Sequence, residues 1–492
     1  MPKRNIVWIR NKDLRIHDHD PLLAAEETGY PIAVYIFEPG FLKLKKLEKR
    51  INGHRYLLLS LLALRQEYIR RGSDLIILEG RAEQLLPQLA KAWKIDQVHA
   101  YRQYEPAGRA QENAVNNNLS CDLTLHYGET LLPAESLRNG SGSPYAVFTP
   151  FYKSFLRSEN ISPPRRAPRQ LAPLPADIRL DLFSIVSDDT LFDFESALQK
   201  LSSHDSVLDK PAQLLPAGEK AARQRLKNFQ QRLSTYISGR DRMDQEASSR
   251  LSADLSYGTL SVREVWHQVK AHQPKSPDAE AYLRQLVWRE FAYSSLWDRP
   301  DLLQNPFREK YEGFPYQRNQ IFWKAWCEGK TGYPIVDAAA RELLATGYVH
   351  NRARMISASF ATKHLLLPYQ DCEEHYLRHL TDGDRALNNM GWQWSAGCGC
   401  DAQPYFRVFN PTSQAKKFDP QGVYIRRWVP ELANLSNADL HKPREKTLSL
   451  FASNATDYPA PIVDHAQARL NFLQLAKEHL NPNSRASSHQ RK

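Results

Sequence analysis

Short apolar runs alternate with longer amphipathic stretches through the first 130 residues of the chain. The stretches have apolar residues at the three- and four-residue spacing of helices, whereas the runs are rich in Val, Ile and Tyr. Strands and helices that alternate in this way predict a doubly wound parallel sheet, which binds ligands at the carboxyl ends of its strands. The predicted strands are 5 to 10, 31 to 39, 73 to 80, 97 to 102 and 122 to 128.

Beyond residue 130 the strand pattern weakens, and beyond 215 the chain has the pattern of helices. The segment ISPPRRAPRQLAPLPAD (161 to 177) contains five prolines, which favour extended chain, so it is typical of a linker. By contrast, AYLRQLVWREFAYSSLW (281 to 297) has the apolar stripe of an amphipathic helix. The predicted fold class is therefore α/β plus all-α. The predicted parts are a sheet domain at 1 to 130, a connector at 131 to 215, a helical domain at 216 to 475 and a disordered tail at 476 to 492.

The chain has 66 Lys and Arg residues against 55 Asp and Glu, a formal charge of +11. This excess favours a polyanionic partner such as nucleic acid over an acidic small molecule, although a solvated basic surface gives the same count. The five cysteines form no CxxC pair and predict neither a disulfide framework nor a metal site. No apolar run reaches membrane-spanning length and no apolar signal segment begins the chain, so we expect a cytoplasmic protein without a membrane partner. We also expect a monomer.

The segment YISGRDRMDQEASSRLSADLSYG (236 to 258) carries a cluster of hydroxyl groups. Ser248, Ser249 and Ser252 precede an apolar helical run, where side-chain oxygens and free N–H groups gather. They serve there either as ordinary helix caps or as contacts for the phosphate oxygens of a ligand.

A second polar segment is HNRARM (350 to 355), in which Arg352 and Arg354 lie among apolar residues. Guanidinium groups near a core need anionic or carbonyl partners, because unpaired burial of charge is costly. Asp382 and Asp384 are candidates for those partners. In a second interpretation, the acids bind the polar edge of a ligand while the arginines face phosphate or a flavin.

Longer segments carry a resemblance to a known family: SSRLS, LVWREF, WCEGKTGYPIVDAAARELLATGYVHNRARMISASF, DGDRALNNMGWQW and PYFRVFNP. Through them, the chain from residue 5 to about 465 resembles the DNA photolyases and cryptochromes, most closely the bacterial class I cyclobutane pyrimidine dimer photolyases. The resemblance implies an α/β antenna domain, a long connector and a helical FAD-binding domain. It also implies a deoxyribodipyrimidine photo-lyase that acts on UV-damaged DNA, in which photoexcited reduced FAD passes an electron to a flipped-out dimer.

The same resemblance implies which residues bind FAD. The hydroxyl cluster matches contacts of the phosphates and the ribityl chain, and Arg354 with the two aspartates matches partners of the flavin and the ribose. Asn388 matches the residue opposite flavin N5. The implied FAD-binding residues are Tyr236, Ser248, Ser249, Leu251, Ser252, Arg354, Asp382, Asp384 and Asn388.

Further matches fall on the reaction itself and on the DNA. Trp392 matches the tryptophan nearest the flavin in the electron relay, and Trp394 matches the indole that stacks on the lesion. The implied catalytic residues are Asn388, Trp392, Trp394, Gln285, Tyr369 and Tyr316. The implied lesion and DNA contacts are Arg240, Gln285, Trp288, Arg289, Asn351, Arg352, Met355, Trp394 and Arg407.

The chain departs from the dimer photolyases at several of these positions. Gln285 stands where they have a lesion-binding glutamate, and glutamine is usual there in (6-4) photolyases and animal cryptochromes. The (6-4) enzymes, however, have a histidine pair at the positions of Asn351 and Met355, so we favour the cyclobutane dimer as the lesion. His364 replaces an aspartate that pairs in the family with the arginine at the position of Arg354.

The electron relay departs as well, since Tyr369 and Tyr316 stand at its middle and outer positions, where tryptophan is usual. Tyrosine oxidation generally needs a proton acceptor. Photoreduction is therefore expected to be slow, or to pass through Trp394, Trp323 or Trp326.

Two functional questions stay open at the level of sequence. The segment YEPAGRA (104 to 110) lacks the Asn-Glu pair that binds folate in folate-type members, so the second chromophore is folate in another pose, a deazaflavin, a second flavin or none. The alternatives to dimer repair are a cryptochrome-type blue-light photoreceptor that binds FAD without repair and a (6-4) photolyase.

Overall fold

A parallel sheet of five strands forms the N-terminal part of the computed structural model, in the order β3-β2-β1-β4-β5. In register, Val7 of the central strand lies between Ala33 and His99 of its two neighbours. The strands are β1 (Lys3–Ile9), β2 (Gly29–Phe37), β3 (Leu75–Glu79), β4 (Gln97–Tyr101) and β5 (Asp122–His126). The structure describes residues 3–41, 50–158, 160–178, 215–402, 404–441 and 457–480.

Helices follow the strands and make up most of the regular structure after β5. They are α1 (Asp20–Thr28), α2 (Ile51–Arg70), α3 (Ala82–Ala92), α4 (Pro106–Asn118), α5 (Phe148–Arg157), α6 (Glu219–Gln230), α7 (Tyr236–Gly239), α8 (Ser252–Tyr257), α9 (Val262–His272), α10 (Pro277–Asp298), α11 (Gln320–Cys327), α12 (Pro334–Thr346), α13 (Asn351–Lys363), α14 (Tyr369–His379), α15 (Arg385–Ala396), α16 (Pro411–Phe418), α17 (Val423–Trp428), α18 (Asn437–Leu440) and α19 (His465–Leu480). Short 3-10 turns lie at Leu233–Thr235, Pro300–Leu303, Glu309–Tyr311 and Pro430–Leu432.

The central strand β1 feeds two apolar cores, one on each face of the sheet. Val7 and Ile9 belong to one core, and Ile6 and Trp8 to the other, because successive side chains of a strand point to opposite faces. All four side chains are buried. A strand buried on both faces has a continuous apolar sequence, which explains the run at 5 to 10 and confirms the predicted doubly wound fold.

The chain folds as two compact units. The sheet unit comprises Met1–Ser234 and Ser249–Pro300, and the helical unit comprises Thr235–Ser248 and Asp301–Lys492. This division differs from the predicted domain boundary at residue 216. Helix α10 belongs to the sheet unit because its Phe291 packs on Phe148 and Phe151 of α5, with ring centroids 5.8 and 5.0 Å apart.

The predicted connector and tail are described only in part. The proline-rich segment has no helix or strand through residue 175, and Arg165 within it exchanges hydrogen bonds with Asp18 at 2.9 Å in both directions. Residues 179 to 214 of the connector and 481 to 492 of the tail lie outside the described residues. The first five residues of the predicted tail are helical, since α19 continues to Leu480 and packs Ala476 and Leu480 into the core of the helical unit.

Glu290 is expected to make the stability of the sheet unit depend on pH. Its Oε2 accepts the Leu131 and Leu132 N–H groups at 2.7 and 3.3 Å, and its Oε1 lies 3.7 Å from Arg289. Burial nevertheless raises the pKa of Glu290 to about 7. An unfolded glutamate titrates near about 4.3, so the folded state holds the proton more tightly, and the free energy of unfolding falls as pH rises from about 4.3 to about 7.

The Glu290→Gln variant is expected to lose this part of the pH dependence, because glutamine keeps an acceptor oxygen but cannot ionise. Between about pH 5 and about pH 8, the wild type is expected to lose on the order of 1 kcal/mol or more of its free energy of unfolding. The Glu290→Gln variant is expected not to show this loss. Denaturant unfolding at both pH values measures it, with Glu280→Gln, exposed on the same helix, as the control. Equal pH dependence in wild type and Glu290→Gln would contradict the prediction.

Candidate functional site

Helix α15 presents an open face in the helical unit. Asp384 caps the helix, and its Oδ1 accepts the Leu387 N–H at 3.0 Å. Along the same face, Leu387 and Gly391 are exposed, Asn388 and Trp394 are half-buried, and a Cβ added at Gly391 would meet nothing within 4 Å. A helix that is otherwise packed into the core therefore leaves room for a ligand along this face.

Arg354 and Asp382 form an ion pair close in sequence to this cap. Nη2 of Arg354 donates to both carboxylate oxygens at 3.0 and 2.8 Å, and its Nε donates to the Val349 carbonyl oxygen at 2.8 Å. Burial opposes the charge of Arg354, but Asp382 outweighs it and the pKa of Arg354 is raised. Nη1 of Arg354 has no hydrogen bond with any residue that the structure describes, so this donor can serve a ligand.

Tyr348 joins a serine to this ion pair. Its hydroxyl lies 3.4 Å from Ser248 Oγ, and the Arg354 guanidinium lies 5.8 Å from the centre of its ring. Ser248, Tyr348, Arg354 and Asp382 are therefore one group, here named the polar cluster. The sequence pattern does not indicate Tyr348 as a site residue, although an aromatic residue two positions before the segment HNRARM is a usable signal.

The helical unit holds two further predicted cofactor residues, Tyr236 and Asn388. Tyr236 is buried, its ring lies 5.4 Å from the Arg240 guanidinium, and burial raises the pKa of Tyr236 to about 12, so its hydroxyl stays protonated. The Asn388 side-chain amide donates to the Glu373 carbonyl oxygen at 3.0 Å. This hydrogen bond fixes the orientation of the amide, so that its oxygen points away from the Glu373 carbonyl.

Glu373 is a second site residue that the sequence pattern does not indicate. Its carboxylate accepts the Asn389 amide at 3.1 Å, while its backbone carbonyl holds Asn388. Burial raises the pKa of Glu373 to about 8. Both adjacent asparagines of the DGDRALNNMGWQW segment are thus held by one residue of α14, a contact that cannot be read from the local pattern.

The two indoles at the end of α15 have different surroundings. Trp392 is buried, with its ring centroid 5.1 Å from Tyr376 and 6.0 Å from Trp326. Trp394 is half-buried, and its indole has no ring contact with the residues that the structure describes. Residues two apart on a helix point to nearly opposite sides, so one indole lies in the core and the other is available to a ligand.

In the sheet unit, the predicted cofactor residues lie around the start of α8. Ser249 Oγ receives the Tyr282 hydroxyl at 3.1 Å and the Leu251 N–H at 3.3 Å. Ser252 is exposed and begins the helix, whereas Leu251 is buried. The roles of Ser249, Leu251 and Ser252 in FAD binding stay predictions.

The predicted lesion residues of the sheet unit lie on α10. Gln285 is half-buried and its amide donates to the Ala281 carbonyl oxygen at 3.2 Å. Trp288 stacks on Phe148 with ring centroids 3.7 Å apart and an interplanar angle of 8°. Arg289, in contrast, is buried and donates to the Glu129 carbonyl oxygen at 2.6 Å. A buried guanidinium held in this way stabilises the unit, and a contact of Arg289 with DNA stays a prediction.

The helical unit contains the other predicted DNA and lesion contacts. Asn351 is exposed in the first turn of α13, and its amide lies 3.7 Å from the sulfur of Met355. Arg407 is exposed. Arg352 donates to Asp241 at 2.8 Å and lies 4.3 Å from the centre of the Phe418 ring, so its contact with DNA stays a prediction.

The polar cluster and the open face of α15 fit an isoalloxazine ring. One edge of that ring alternates carbonyl acceptors with an N–H donor. Arg354 has a free N–H group for a carbonyl of the ring, and the Asp382 carboxylate is an acceptor for the ring N–H. Asn388, near the start of α15, adds a neutral amide. Gly391 leaves the space that a flat ring needs.

Comparisons with known proteins match both parts of the chain. A family model for DNA photolyase matches residues 5–172, and one for the FAD binding domain of DNA photolyase matches residues 282–478. The deoxyribodipyrimidine photo-lyase of Thermus thermophilus is 36% identical over 477 residues, which covers 96% of this chain and 98% of that protein.

Solved structures match over similar lengths. A bacterial class III photolyase from Agrobacterium tumefaciens is 34% identical, with a TM-score of 0.84 over 97% of this chain and 98% of that one. A Synechocystis cryptochrome is 28% identical, with a TM-score of 0.83 over 96% of this chain and 99% of that one.

An α/β unit joined to a helical unit with this polar cluster defines a flavoprotein of the photolyase and cryptochrome type. The chain belongs to the DNA photolyase family. The predictions of this family, of FAD as its cofactor and of the photo-lyase enzyme class are confirmed, whereas placement in class I stays a prediction beside a class III relative. Across the described ranges, every helix is too short or too polar to span a bilayer.

Proposed function

We propose that this protein repairs cyclobutane pyrimidine dimers in DNA in a light-dependent reaction. Reduced FAD, excited by blue light, supplies the electron that splits the dimer. One observation carries the proposal: Asn388 and Trp394, both half-buried, border the open face of α15 with the exposed Gly391 between them. The two residues are six positions apart, which is about 9 Å along the helix axis. A flavin bound at Asn388 and a lesion bound at Trp394 are therefore neighbours.

The polar cluster is proposed to hold the flavin. Arg354, fixed by Asp382 and Val349, directs its free N–H group at a carbonyl of the ring, and Asp382 accepts the ring N–H. Asn388, oriented by the Glu373 carbonyl, presents a neutral amide that can accept or donate without adding charge. Ser248 and Tyr236 bind the more distant phosphate and ribityl groups.

The lesion is proposed to stack on Trp394. A pyrimidine dimer already distorts its duplex, so turning it out of the stack costs less than for intact bases. Stacking of a base on an aromatic ring contributes about 1 to 3 kcal/mol, and Met355 and Asn351 at the start of α13 add an apolar and a polar contact. The net charge of +11, with the exposed Arg407, attracts the DNA backbone.

A second candidate function is a blue-light photoreceptor that binds FAD but repairs nothing. Gln285 in place of glutamate favours it, as does the similarity to the Synechocystis cryptochrome at 28% identity. Repair is the better supported proposal because a photo-lyase relative reaches 36% identity and Trp394 keeps an unstacked indole. Within repair, Asn351 and Met355 in place of a histidine pair favour the cyclobutane dimer over the (6-4) lesion.

Repair assays with both lesion types in parallel test the proposal. The reduced protein is illuminated with an oligonucleotide that carries either a thymine dimer or a (6-4) lesion, and intact product is measured. We expect repair of the dimer alone, and faster repair by Gln285→Glu, because a carboxylic acid can supply the proton and the charge that an amide cannot. Full FAD loading without repair of either lesion would favour the photoreceptor, and repair of the (6-4) lesion alone would overturn the assignment of the lesion.

A further inference from the structure

We infer that Arg284 binds a phosphate of the damaged DNA strand beside the lesion, and that the rings of Phe148 and Tyr152 hold its guanidinium in place. The inference rests on the proposed function, because it adds a backbone contact next to the predicted lesion residue Trp288. The family resemblance implies no role for Arg284, Phe148 or Tyr152.

Two helices of the sheet unit contact one another through two pairs of residues. Phe148 and Tyr152 are four positions apart on α5, so they lie on one face of that helix. Arg284 and Trp288 are likewise four positions apart on α10. Tyr152 stacks on Phe148 with ring centroids 5.7 Å apart, and Phe148 stacks on Trp288 at 3.7 Å. The guanidinium carbon of Arg284 lies 5.4 Å from the centre of the Phe148 ring and 4.9 Å from that of Tyr152.

These four side chains, here named the stacked group, are buried at one member and open to solvent at the others. Phe148 is 1% exposed. Tyr152 and Trp288 are half-buried, and Arg284 is exposed. Phe148 covers one face of the Trp288 indole, and among the described residues no second ring lies parallel to it. A half-buried indole that is backed on one face leaves its other face for a base of the lesion.

Arg284 has no anionic partner in the part of the chain that the structure describes. Its contacts there are the two rings of α5. Attraction to the rings restrains the long side chain but uses none of its five N–H donors. A side chain that is already restrained loses less conformational freedom on binding, and the guanidinium fork matches two phosphate oxygens at once. Arg284 is therefore suited to a phosphate.

The position of Arg284 on α10 brings it within reach of the backbone beside a lesion at Trp288. Four residues of helix correspond to about 6 Å along the axis, and the phosphates of one strand follow one another at about 3.4 Å of duplex rise. A phosphate within about two nucleotides of the stacked base can therefore meet Arg284. Phosphate contacts fix the orientation of DNA without reading its sequence, which suits recognition of damage in any sequence.

Dark binding of dimer-containing duplex DNA by the FAD-loaded full chain, at several salt concentrations, tests the phosphate contact. Arg284→Gln is expected to lower the affinity by about fivefold to tenfold at about 0.1 M salt. The slope of log affinity against log salt concentration is expected to become shallower by about 0.9, the value for one phosphate contact. Intact DNA of the same sequence is expected to lose affinity by a similar factor, because it carries the same phosphates.

Arg81→Gln is the matched control, because Arg81 is an exposed arginine at the start of α3 in the same unit. It is expected to change neither the affinity nor the slope. An unchanged slope in Arg284→Gln, or a loss of affinity confined to the dimer, would overturn the phosphate contact.

Substitutions of Tyr152 test the hold on the guanidinium. Tyr152→Phe keeps the ring and is expected to bind DNA like the wild type, whereas Tyr152→Leu is expected to lose about threefold in affinity. In the Arg284→Gln background, Tyr152→Leu is expected to cost little more, because the ring acts through the guanidinium. The full further loss in that double variant would overturn the role of the ring.

Light-dependent repair by the wild type is measured separately from this binding. A wild type that repairs nothing, beside a shallower slope in Arg284→Gln, would contradict the proposed function and leave the phosphate contact standing. Repair by the wild type with equal slopes in wild type and Arg284→Gln would contradict the phosphate contact alone.

Discussion

Replacement of Asp382 by alanine is expected to leave a folded protein that no longer retains FAD. Asp382 receives both hydrogen bonds from Nη2 of Arg354, and its side chain is 6% exposed. Its loss removes the acceptor for the flavin and leaves a half-buried guanidinium without its partner. Because Arg354 is 26% exposed, the expected cost in folding stability lies at the low end for a broken buried pair, about 3 kcal/mol. Loss of the acceptor for the ring N–H is expected to lower FAD affinity by roughly a hundredfold, equivalent to about 2.7 kcal/mol.

The flavin content of the purified variant measures this effect directly from its visible absorbance. Glu431→Gln is the matched control, because it breaks another ion pair of the helical unit, Arg341 with Glu431 at 2.7 Å, away from the polar cluster. We expect about one FAD per chain in this control and in the wild type. Full FAD retention by Asp382→Ala would show that the polar cluster is not the flavin site.

Replacement of Trp394 by alanine is expected to have the second largest effect, a loss of affinity for dimer-containing DNA with FAD still bound. The half-buried indole makes no ring contact within the described residues, so its removal takes away a stacking surface rather than core packing. The loss of base stacking predicts a decrease of about tenfold to about a hundredfold in affinity for the dimer.

Binding of dimer-containing and intact oligonucleotides in the dark separates this effect from a general loss of DNA binding. Trp428→Ala removes another half-buried indole of the helical unit and is the matched control. We expect Trp394→Ala to lose affinity for the dimer and to bind intact DNA as before. Loss of FAD in Trp394→Ala would instead place this indole against the cofactor.

The sheet could be predicted from the sequence because burial on both faces gives its strands continuous apolar runs. The run at 31 to 39 corresponds to β2 (Gly29–Phe37), and that at 97 to 102 to β4 (Gln97–Tyr101). The boundary between the units could not be predicted in this way. Helix α10 has the same apolar pattern whichever unit it joins, and contacts distant in sequence, such as that of Phe291 with α5, decide between them.

The residues of the candidate site could likewise be predicted only in part from the sequence. Local pattern and family resemblance indicated Arg354 and Asp382, and the structure pairs them. Neither signal identified Tyr348 or Glu373, because these residues act through partners that are distant in sequence. The resemblance implied a DNA contact for Arg289, whereas its hydrogen bond to the carbonyl oxygen of residue 129 could not be predicted from the sequence.

Repair of a thymine-dimer oligonucleotide by the reduced, FAD-loaded protein, in blue light and in darkness, is the most direct measurement. Intact thymine is expected to appear in the light only, and not with Asp382→Ala, since bound flavin is the source of the electron. Equal product in light and darkness, or none in the light with full FAD loading, would contradict the proposal that this protein is a light-dependent repair enzyme.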